Sequence, residues 1–102
     1  MENPTFRSQG LTQALGLLPK GFRGRLVGLM SGAARSRLSP DELERRLIEL
    51  GFVEGAEFEV LHEGPIRRDP IAVRVGGATV ALRRADAMAI LTERLDDARH
   101  RG

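Results

Sequence analysis

The chain has 102 residues, which is enough for one domain and too few for two independent hydrophobic cores. Hydrophobic residues make up 41% and charged residues 29%, which excludes a wholly disordered chain, and a net charge of only +2 argues against a dedicated nucleic-acid-binding protein. The absence of cysteine excludes disulfide bonds and thiolate metal sites.

The N-terminal segment gives the weakest structural pattern. Residues 1–4 (MENP) lack the basic and apolar regions of a signal peptide, and no apolar run approaches the ~20 residues needed to span a bilayer. We therefore expect a cytoplasmic protein with no direct membrane insertion. Residues 1–17 are predicted to form an N-terminal extension, partly helical or loose, before a domain over residues 18–95.

The first elements of the domain are a turn and a strand. Leu18-Pro19-Lys20-Gly21 is typical of a turn, and residues 22–30 predict a strand in which Gly24 and Gly28 indicate a bulge or bend. Residues 31–38 are small and polar with two arginines, and they predict a loop.

Residues 39–52 contain the best-defined local pattern, a short helix. Ser39 can cap it, Pro40 suits the first helical position, and Glu42 completes a capping box. Leucines recur at helical spacing on one face, at positions 43, 47 and 50. Gly51 fits the left-handed residue that ends a helix, and Phe52 is then placed to pack back on Leu47.

The second half of the chain predicts short strands. Residues 56–63 alternate between apolar and acidic side chains, and residues 64–70, with two prolines, predict a loop. Residues 71–75 and 78–83 form a hairpin around Gly76-Gly77, with the pairs Ile71–Leu82, Val73–Val80 and Val75–Ala78 on one face. A helical turn at 83–89, a closing strand from residue 90 and a charged C-terminal tail at 96–102 complete the chain. Since short strands need closure to protect their edges, we predict a mainly β fold, a small barrel of about five strands with one inserted short α-helix.

Four sequence segments, in this order, resemble the FeoA family of bacterial ferrous iron transport. They are residues 44–55 (ERRLIELGFVEG), 64–65 (GP), 69–74 (DPIAVR) and 81–84 (ALRR). The turn at 18–21 (LPKG) and the strand after it match the opening of the family, so the similarity covers roughly residues 17–92. The resemblance implies an SH3-like barrel and a cytosolic accessory that binds FeoB, the membrane transporter with a GTP-binding domain. The chain departs from the family pattern in its long link at 31–41 and in its first 17 residues.

Residues that could carry chemistry are few. His62, Glu63 and Asp69 are the nearest metal-ligand candidates, but their spacing matches no metal motif, and we predict that they are surface residues. No serine lies near a histidine in a nucleophile motif, and no phosphate-binding loop occurs. The sequence therefore predicts no catalytic residues, no metal site, no cofactor and no enzyme activity.

The arginine pairs Arg67-Arg68 and Arg83-Arg84 support an alternative, a small nucleic-acid-binding or transcription-regulatory SH3-like domain. Against it, aromatic residues are only 4% of the chain and none is Trp or Tyr, so few rings could stack on bases. Nearby glutamates could also neutralise the arginines, which makes nucleic acid the less favoured partner.

The predicted partner-binding residues are apolar and lie in turns, where a large side chain gains less from the core. They are Phe52, Val53, Pro65 and Ile66. For Phe52, packing against the end of the helix is an equally good interpretation. A weak homo-oligomer is also left open.

Overall fold

The computed structural model describes residues 12–30, 32 and 36–95. In chain order, the elements are β1 (Gln13–Ala14), a 3₁₀ turn (Leu15–Leu17), β2 (Arg23–Leu29), α1 (Pro40–Glu49), β3 (Glu57–Ile66), β4 (Asp69–Val75), β5 (Ala78–Leu82), α2 (Arg84–Ala87) and β6 (Ile90–Arg94). The predicted charged tail at 96–102, residues 1–11 of the predicted extension and part of the predicted loop at 31–38 lie outside the described residues.

The strands form one antiparallel sheet in the order β1-β6-β2-β3-β4-β5, which confirms a mainly β fold with one inserted short helix. There are six strands rather than about five because β1 adds a short edge strand beside β6. The outer strands β1 and β5 do not pair with each other, so hydrogen bonds do not close the sheet into a barrel. Instead, β1 leads into the 3₁₀ turn and β5 leads into α2, and these two short elements pack together.

The N-terminal part of the fold begins earlier than predicted. Gln13 pairs with Thr92, and the Thr92 hydroxyl, which is fully buried, donates a hydrogen bond to the Gln13 carbonyl at 2.9 Å. Leu15 is also fully buried in the core. The predicted boundary at residue 18 therefore falls inside the folded unit.

Helix α1 has the ends that the sequence predicts. The Ser39 hydroxyl accepts the Glu42 N–H at 3.2 Å, and the Glu42 carboxylate accepts the Ser39 N–H at 3.0 Å. At the other end, Gly51 has a φ of 107°, and the Phe52 N–H donates to the Leu47 carbonyl at 2.9 Å. These bonds satisfy backbone groups that a helix end otherwise leaves without partners.

The β4–β5 hairpin has the predicted register, with the pairs Ile71–Leu82, Val73–Val80 and Val75–Ala78. Its turn is Gly76-Gly77, and both glycines have positive φ. Most of these paired side chains are buried, whereas Val80 is half-buried and Ala78, next to the Gly-Gly turn, is exposed. The core also takes in leucines 26, 43 and 47 and isoleucines 71 and 90, all nearly inaccessible to solvent.

The predicted loop at residues 64–70 is wrong, because β3 continues to Ile66 and β4 begins at Asp69. Only Arg67 and Arg68 remain as the turn, with φ values of 58° and 60°. Such a two-residue turn requires positive φ at both positions and usually contains glycine or asparagine. The arginines hide that signal, and an irregularity in register between Glu63 and Ile66 accommodates Pro65.

In the part of the chain that the structure describes, no helix is both long enough and apolar enough to cross a membrane.

Candidate partner-binding surface

The guanidinium group of Arg84, the first residue of α2, connects three separate parts of the chain. It donates to the Glu63 carboxylate at 3.0 Å and to the Arg68 carbonyl at 2.8 Å. It also donates to the carbonyls of Gly16 at 3.2 Å and Leu18 at 2.8 Å. With the side chain only 19% exposed, these bonds hold the 3₁₀ turn, β3 and the β3–β4 turn against α2.

Two exposed apolar side chains belong to the segments that Arg84 holds together. Leu17 lies between two of the carbonyls that Arg84 binds, and Ile66 is two residues before the third. Their exposed fractions, 70% and 73%, are the highest among the large hydrophobic residues in the described ranges. Pro65, beside Ile66, is exposed as well. We call Leu17, Pro65 and Ile66 the tip surface.

The tip surface stands at the end of a hairpin that extends beyond its neighbouring strands. The last backbone bond between β3 and the chain before β2 is made at Val60, and the last pair between β4 and β5 is at Ile71. Residues 64–70 therefore continue past the last paired residues of the neighbouring strands on both sides. An open recess of about 370 Å³ lies beside Ile66 and is lined also by Arg67, Asp69, Pro70 and Arg83.

The charges around the tip surface are mostly positive. The side chains of Arg67, Arg68 and Arg83 are exposed and form no ion pair with another described residue. The nearby carboxylates are engaged, since Glu63 binds Arg84 and Asp69 accepts the Arg84 N–H at 2.8 Å. The tip therefore combines exposed apolar side chains with cationic groups available to a partner.

The predicted basic patch is only partly present in the structure. Arg84 is turned inward and its donors are used within the protein, so it is not available to a phosphate. Two further arginines pair with glutamates along the strands, Arg74 with Glu59 at 2.6 Å and Arg25 with Glu57 at 3.7 Å. Arg94 lies 5.0 Å over the Phe22 ring. This leaves a small cluster of available arginines rather than a basic face.

The prediction that Phe52 contacts a partner is corrected by its burial, because its exposed fraction is 0%. Its backbone bond to Leu47 turns the ring into the core at the end of α1. Val53 is 46% exposed but precedes β3, whereas Pro65 and Ile66 lie at the far end of that strand. At ~3.3 Å per residue, the two ends are roughly 30 Å apart. The structure thus brings together Pro65 and Ile66 but not Phe52 and Val53.

The sequence interpretation missed Leu17 as a candidate surface residue, because it falls in the segment assigned to the extension. Leu15 and Leu18 are buried on either side of it. In a 3₁₀ turn, residues three apart lie on the same face, so the buried leucines at 15 and 18 leave Gly16 and Leu17 on the other two faces, and Leu17 is the one of these with a large side chain. That spacing was the available signal.

The three metal-ligand candidates do not form a cluster. Glu63 binds Arg84 and also accepts the Lys20 backbone N–H at 3.2 Å, Asp69 accepts the Arg84 N–H, and His62 is exposed. Within residues 12–30, 32 and 36–95, no group of three histidine, cysteine or acidic residues could hold a metal ion.

Comparison with known proteins gives one family match. The family model of the FeoA domain matches residues 13–94, which include every strand from β1 to β6. Among curated protein sequences, no match was found.

Several solved structures share the fold. The FeoA protein of Chlorobium tepidum is 31% identical, with a TM-score of 0.66 over 82% of this chain and 71% of its own. The FeoA of Stenotrophomonas maltophilia, complexed with zinc and described as a prokaryotic SH3 domain protein, is 30% identical, with a TM-score of 0.63 over 78% and 87%. A manganese-dependent transcriptional repressor has a TM-score of 0.65 at 23% identity over 82% of this chain and 42% of its own, which shows a common fold alone. The expected SH3-like fold is confirmed.

Proposed function

This chain belongs to the FeoA family, and from that premise we propose that it is a cytosolic accessory of ferrous iron uptake that binds and supports an FeoB-type membrane transporter. The observation that carries the proposal is the family match over residues 13–94, because it spans the whole described sheet rather than one motif. A solved relative described as an iron(II) transport protein, at 30% identity, and two structures of FeoA proteins, at 31% and 30% identity, support the same role.

We place the contact on the tip surface. Leu17 and Ile66 are large apolar side chains exposed to solvent. Burying them against a partner would stabilise the complex in proportion to the apolar area covered. Arg67, Arg68 and Arg83 form a cationic border that would pair with carboxylates on the partner and orient it.

The proposed role requires no catalysis by this chain, since the chemistry of transport and nucleotide hydrolysis would belong to the transporter. The alternative, binding to nucleic acid, is less well supported because Arg84, Arg74 and Arg25 are engaged within the protein. Only a few cations remain available, and nucleic-acid affinity depends strongly on the number of phosphates neutralised.

The test is capture of the transporter from detergent-solubilised membranes by the purified full-length chain. Leu17→Asp and Ile66→Asp each place a charge in the proposed contact, and we expect either one to reduce capture at least about tenfold. The matched control is Val53→Asp, which changes an exposed apolar residue of the same kind at the other end of β3 and should leave capture unchanged.

The same samples distinguish the two classes of function. Capture that depends on apolar burial should survive moderate salt, whereas nucleic-acid binding should weaken steeply as counterions are released. Tight, salt-sensitive binding to random DNA or RNA without transporter capture would contradict the accessory role. If Val53→Asp abolished capture and Ile66→Asp left it intact, the choice of the tip surface would be contradicted, but the accessory role would not.

A further inference from the structure

Strand β5 is an open edge of the sheet. It pairs with β4 through five consecutive residues without a register shift, and no described residue pairs with its other side. The opposite edge of the sheet, β1, has only two residues and so offers little to pair with. The β5 edge is thus the longer of the two available edges.

The hairpin geometry shows which backbone groups of β5 are unpaired. In a hairpin with a two-residue turn, the residues that flank the turn form a hydrogen-bonded pair, and bonded and non-bonded pairs then alternate. Val75–Ala78 flanks the turn, so Ala78, Val80 and Leu82 bond to β4. The N–H and C=O groups of Thr79 and Ala81 consequently point away from the sheet.

Nothing in the sequence of β5 protects this edge. Proteins usually guard edge strands with lysine, proline, a bulge or a very short length. Residues 78–82 (ATVAL) contain no charge and no proline, and the side chains of Thr79 and Ala81 are small and exposed. An unprotected edge of this kind is suited to pairing with another strand.

We propose that β5 pairs with β5 of a second copy of the chain, antiparallel and centred on Val80, to form a two-fold symmetric dimer with a continuous sheet. The strand is complementary to itself in this register. Thr79 of one copy and Ala81 of the other exchange two backbone hydrogen bonds, and symmetry repeats them, giving four in all.

The side chains also fit this register. Val80 meets Val80 of the second copy in a non-hydrogen-bonded pair, in which side chains lie closest and branched residues pack well. Each Val80 is half-buried in the single chain, so pairing would cover its remaining surface. The flanking Arg83 lies opposite Gly77, which has no side chain, so the register brings no like charges together.

The strand contact is short, and a small interface of this kind implies weak association. It is distinct from the tip surface, which lies at the other end of the β4–β5 hairpin from its Gly-Gly turn. The proposal rests on the fold alone and does not depend on the function proposed above.

Disulfide trapping tests the register directly, because the natural chain has no cysteine. In the proposed dimer the Cα atoms of the two Val80 residues are ~4.5 Å apart, within the range a disulfide can bridge. We expect Val80→Cys to form a disulfide-linked dimer under mild oxidation at least about tenfold faster than Thr79→Cys. In the proposed register, Thr79 of one copy is two residues away from the position opposite Thr79 of the other, and their Cα atoms are ~7–8 Å apart.

A proline variant tests the hydrogen bonds without breaking the hairpin. Ala81→Pro removes an N–H that points outward and so makes no bond to β4, which edge strands tolerate. In sedimentation equilibrium between about ten micromolar and about one millimolar, the unmodified chain should shift from monomer toward dimer, while Ala81→Pro stays monomeric with its circular dichroism unchanged.

Three results would overturn the proposal. One is a monomer for the unmodified chain over the whole concentration range, and another is equal cross-linking of Val80→Cys and Thr79→Cys. The third is an unmodified chain that stays monomeric and captures the transporter, together with an Ala81→Pro variant that does not capture it. This result would assign the edge to an extended segment of the transporter instead. If Ala81→Pro unfolds, the cross-linking comparison still decides the matter.

Discussion

At the residue scale, the structure gives Arg84 a different role from its sequence neighbour Arg83. Both belong to a basic pair in the sequence, yet Arg84 is largely buried and donates to three carbonyls and one carboxylate, whereas Arg83 is exposed. A guanidinium can make these bonds together because it presents five donors in a fixed plane. The basic pair therefore divides into one structural and one surface residue.

The first prediction concerns this difference. Arg84→Ala should lower the free energy of unfolding by about 2–4 kcal/mol, because it leaves Glu63 and several carbonyls without their donor. Arg84→Lys should recover only part of the loss, since an ammonium cannot reach all four acceptors. Urea denaturation measures both, with Arg83→Ala as the control, expected within about 0.5 kcal/mol of the unmodified chain. Equal losses for the two alanine variants would show that the Arg84 bonds add no stability.

The second prediction concerns iron itself. Because Glu63 and Asp69 already serve as acceptors within the fold and His62 faces solvent, we expect no tight one-to-one binding of Fe²⁺ by these residues. Anaerobic titration calorimetry of the purified chain provides the measurement. A micromolar site that disappears in His62→Ala would show that these side chains rearrange to bind metal.

At the scale of single elements, α1 contains a complete capping box. The hydrogen bond from the Ser39 backbone N–H, followed by a smaller effect of the Ser39 side chain, holds the pKa of Glu42 below its ordinary value. A carboxylate with a lowered pKa in the folded state favours folding at pH values above its ordinary pKa. That contribution is lost as the pH falls through the lowered value.

The third prediction follows from the cap. Ser39→Ala should cost about 1 kcal/mol at neutral pH, as is typical of a lost N-cap, and should raise the pKa of Glu42 only slightly, because alanine keeps the backbone N–H that is the larger cause of its lowering. Denaturation and an NMR titration of Glu42 test the two parts. Glu42→Gln should remove the corresponding part of the acid dependence of stability. A Glu42 pKa that returns fully to its ordinary value in Ser39→Ala would contradict the backbone N–H as the main cause.

The β3–β4 turn leads to the fourth prediction. Arg67 and Arg68 occupy left-handed backbone conformations, which cost an ordinary L-residue roughly 1–2 kcal/mol and glycine almost nothing. Arg68→Gly should therefore raise the free energy of unfolding by up to about 1 kcal/mol, less the greater entropy that glycine gives the unfolded chain. The same change at Arg74, in the middle of β4, is the control and should destabilise the protein. A loss of stability in Arg68→Gly would argue against the left-handed turn.

At the scale of the whole molecule, the fold depends on residues that are far apart in the chain. The first and last strands, β1 and β6, pair side by side, and the 3₁₀ turn after β1 packs on α2, 67 or more residues later. Short elements from both ends thus bridge the gap that the unpaired outer strands leave in the sheet. This explains how Leu15, in the predicted extension, comes to be fully buried.

The fifth prediction tests where the folded unit begins. Leu15→Ala should lower the free energy of unfolding by ~2–5 kcal/mol, the usual range for a buried leucine. Leu17→Ala, two residues away and 70% exposed, should change it by less than about 0.5 kcal/mol. Chemical denaturation of the two variants and the unmodified chain measures both changes in the free energy of unfolding. Similar values would mean that the 3₁₀ turn does not contribute to the core as the structure indicates.

Features that depend on neighbours along the chain could be predicted from the sequence. The capping box of α1, its glycine end and the register of the β4–β5 hairpin involve residues at most about a dozen positions apart, so propensity and side-chain periodicity define them. The family resemblance was also available at this level. The charged and apolar residues that would make contacts could be listed, but their arrangement could not.

The folded structure was needed to show which of those residues act together. It buried Phe52, separated Val53 from Ile66 by the length of β3, and turned Arg84 inward to bind carbonyls from the 3₁₀ turn. Local pattern could not show this, because burial and hydrogen-bond partners depend on segments that the fold brings together from as far as 79 residues apart. The positive φ of Arg67 and Arg68 likewise follows from strand pairing on both sides of the turn, which overrides the preference of arginine itself.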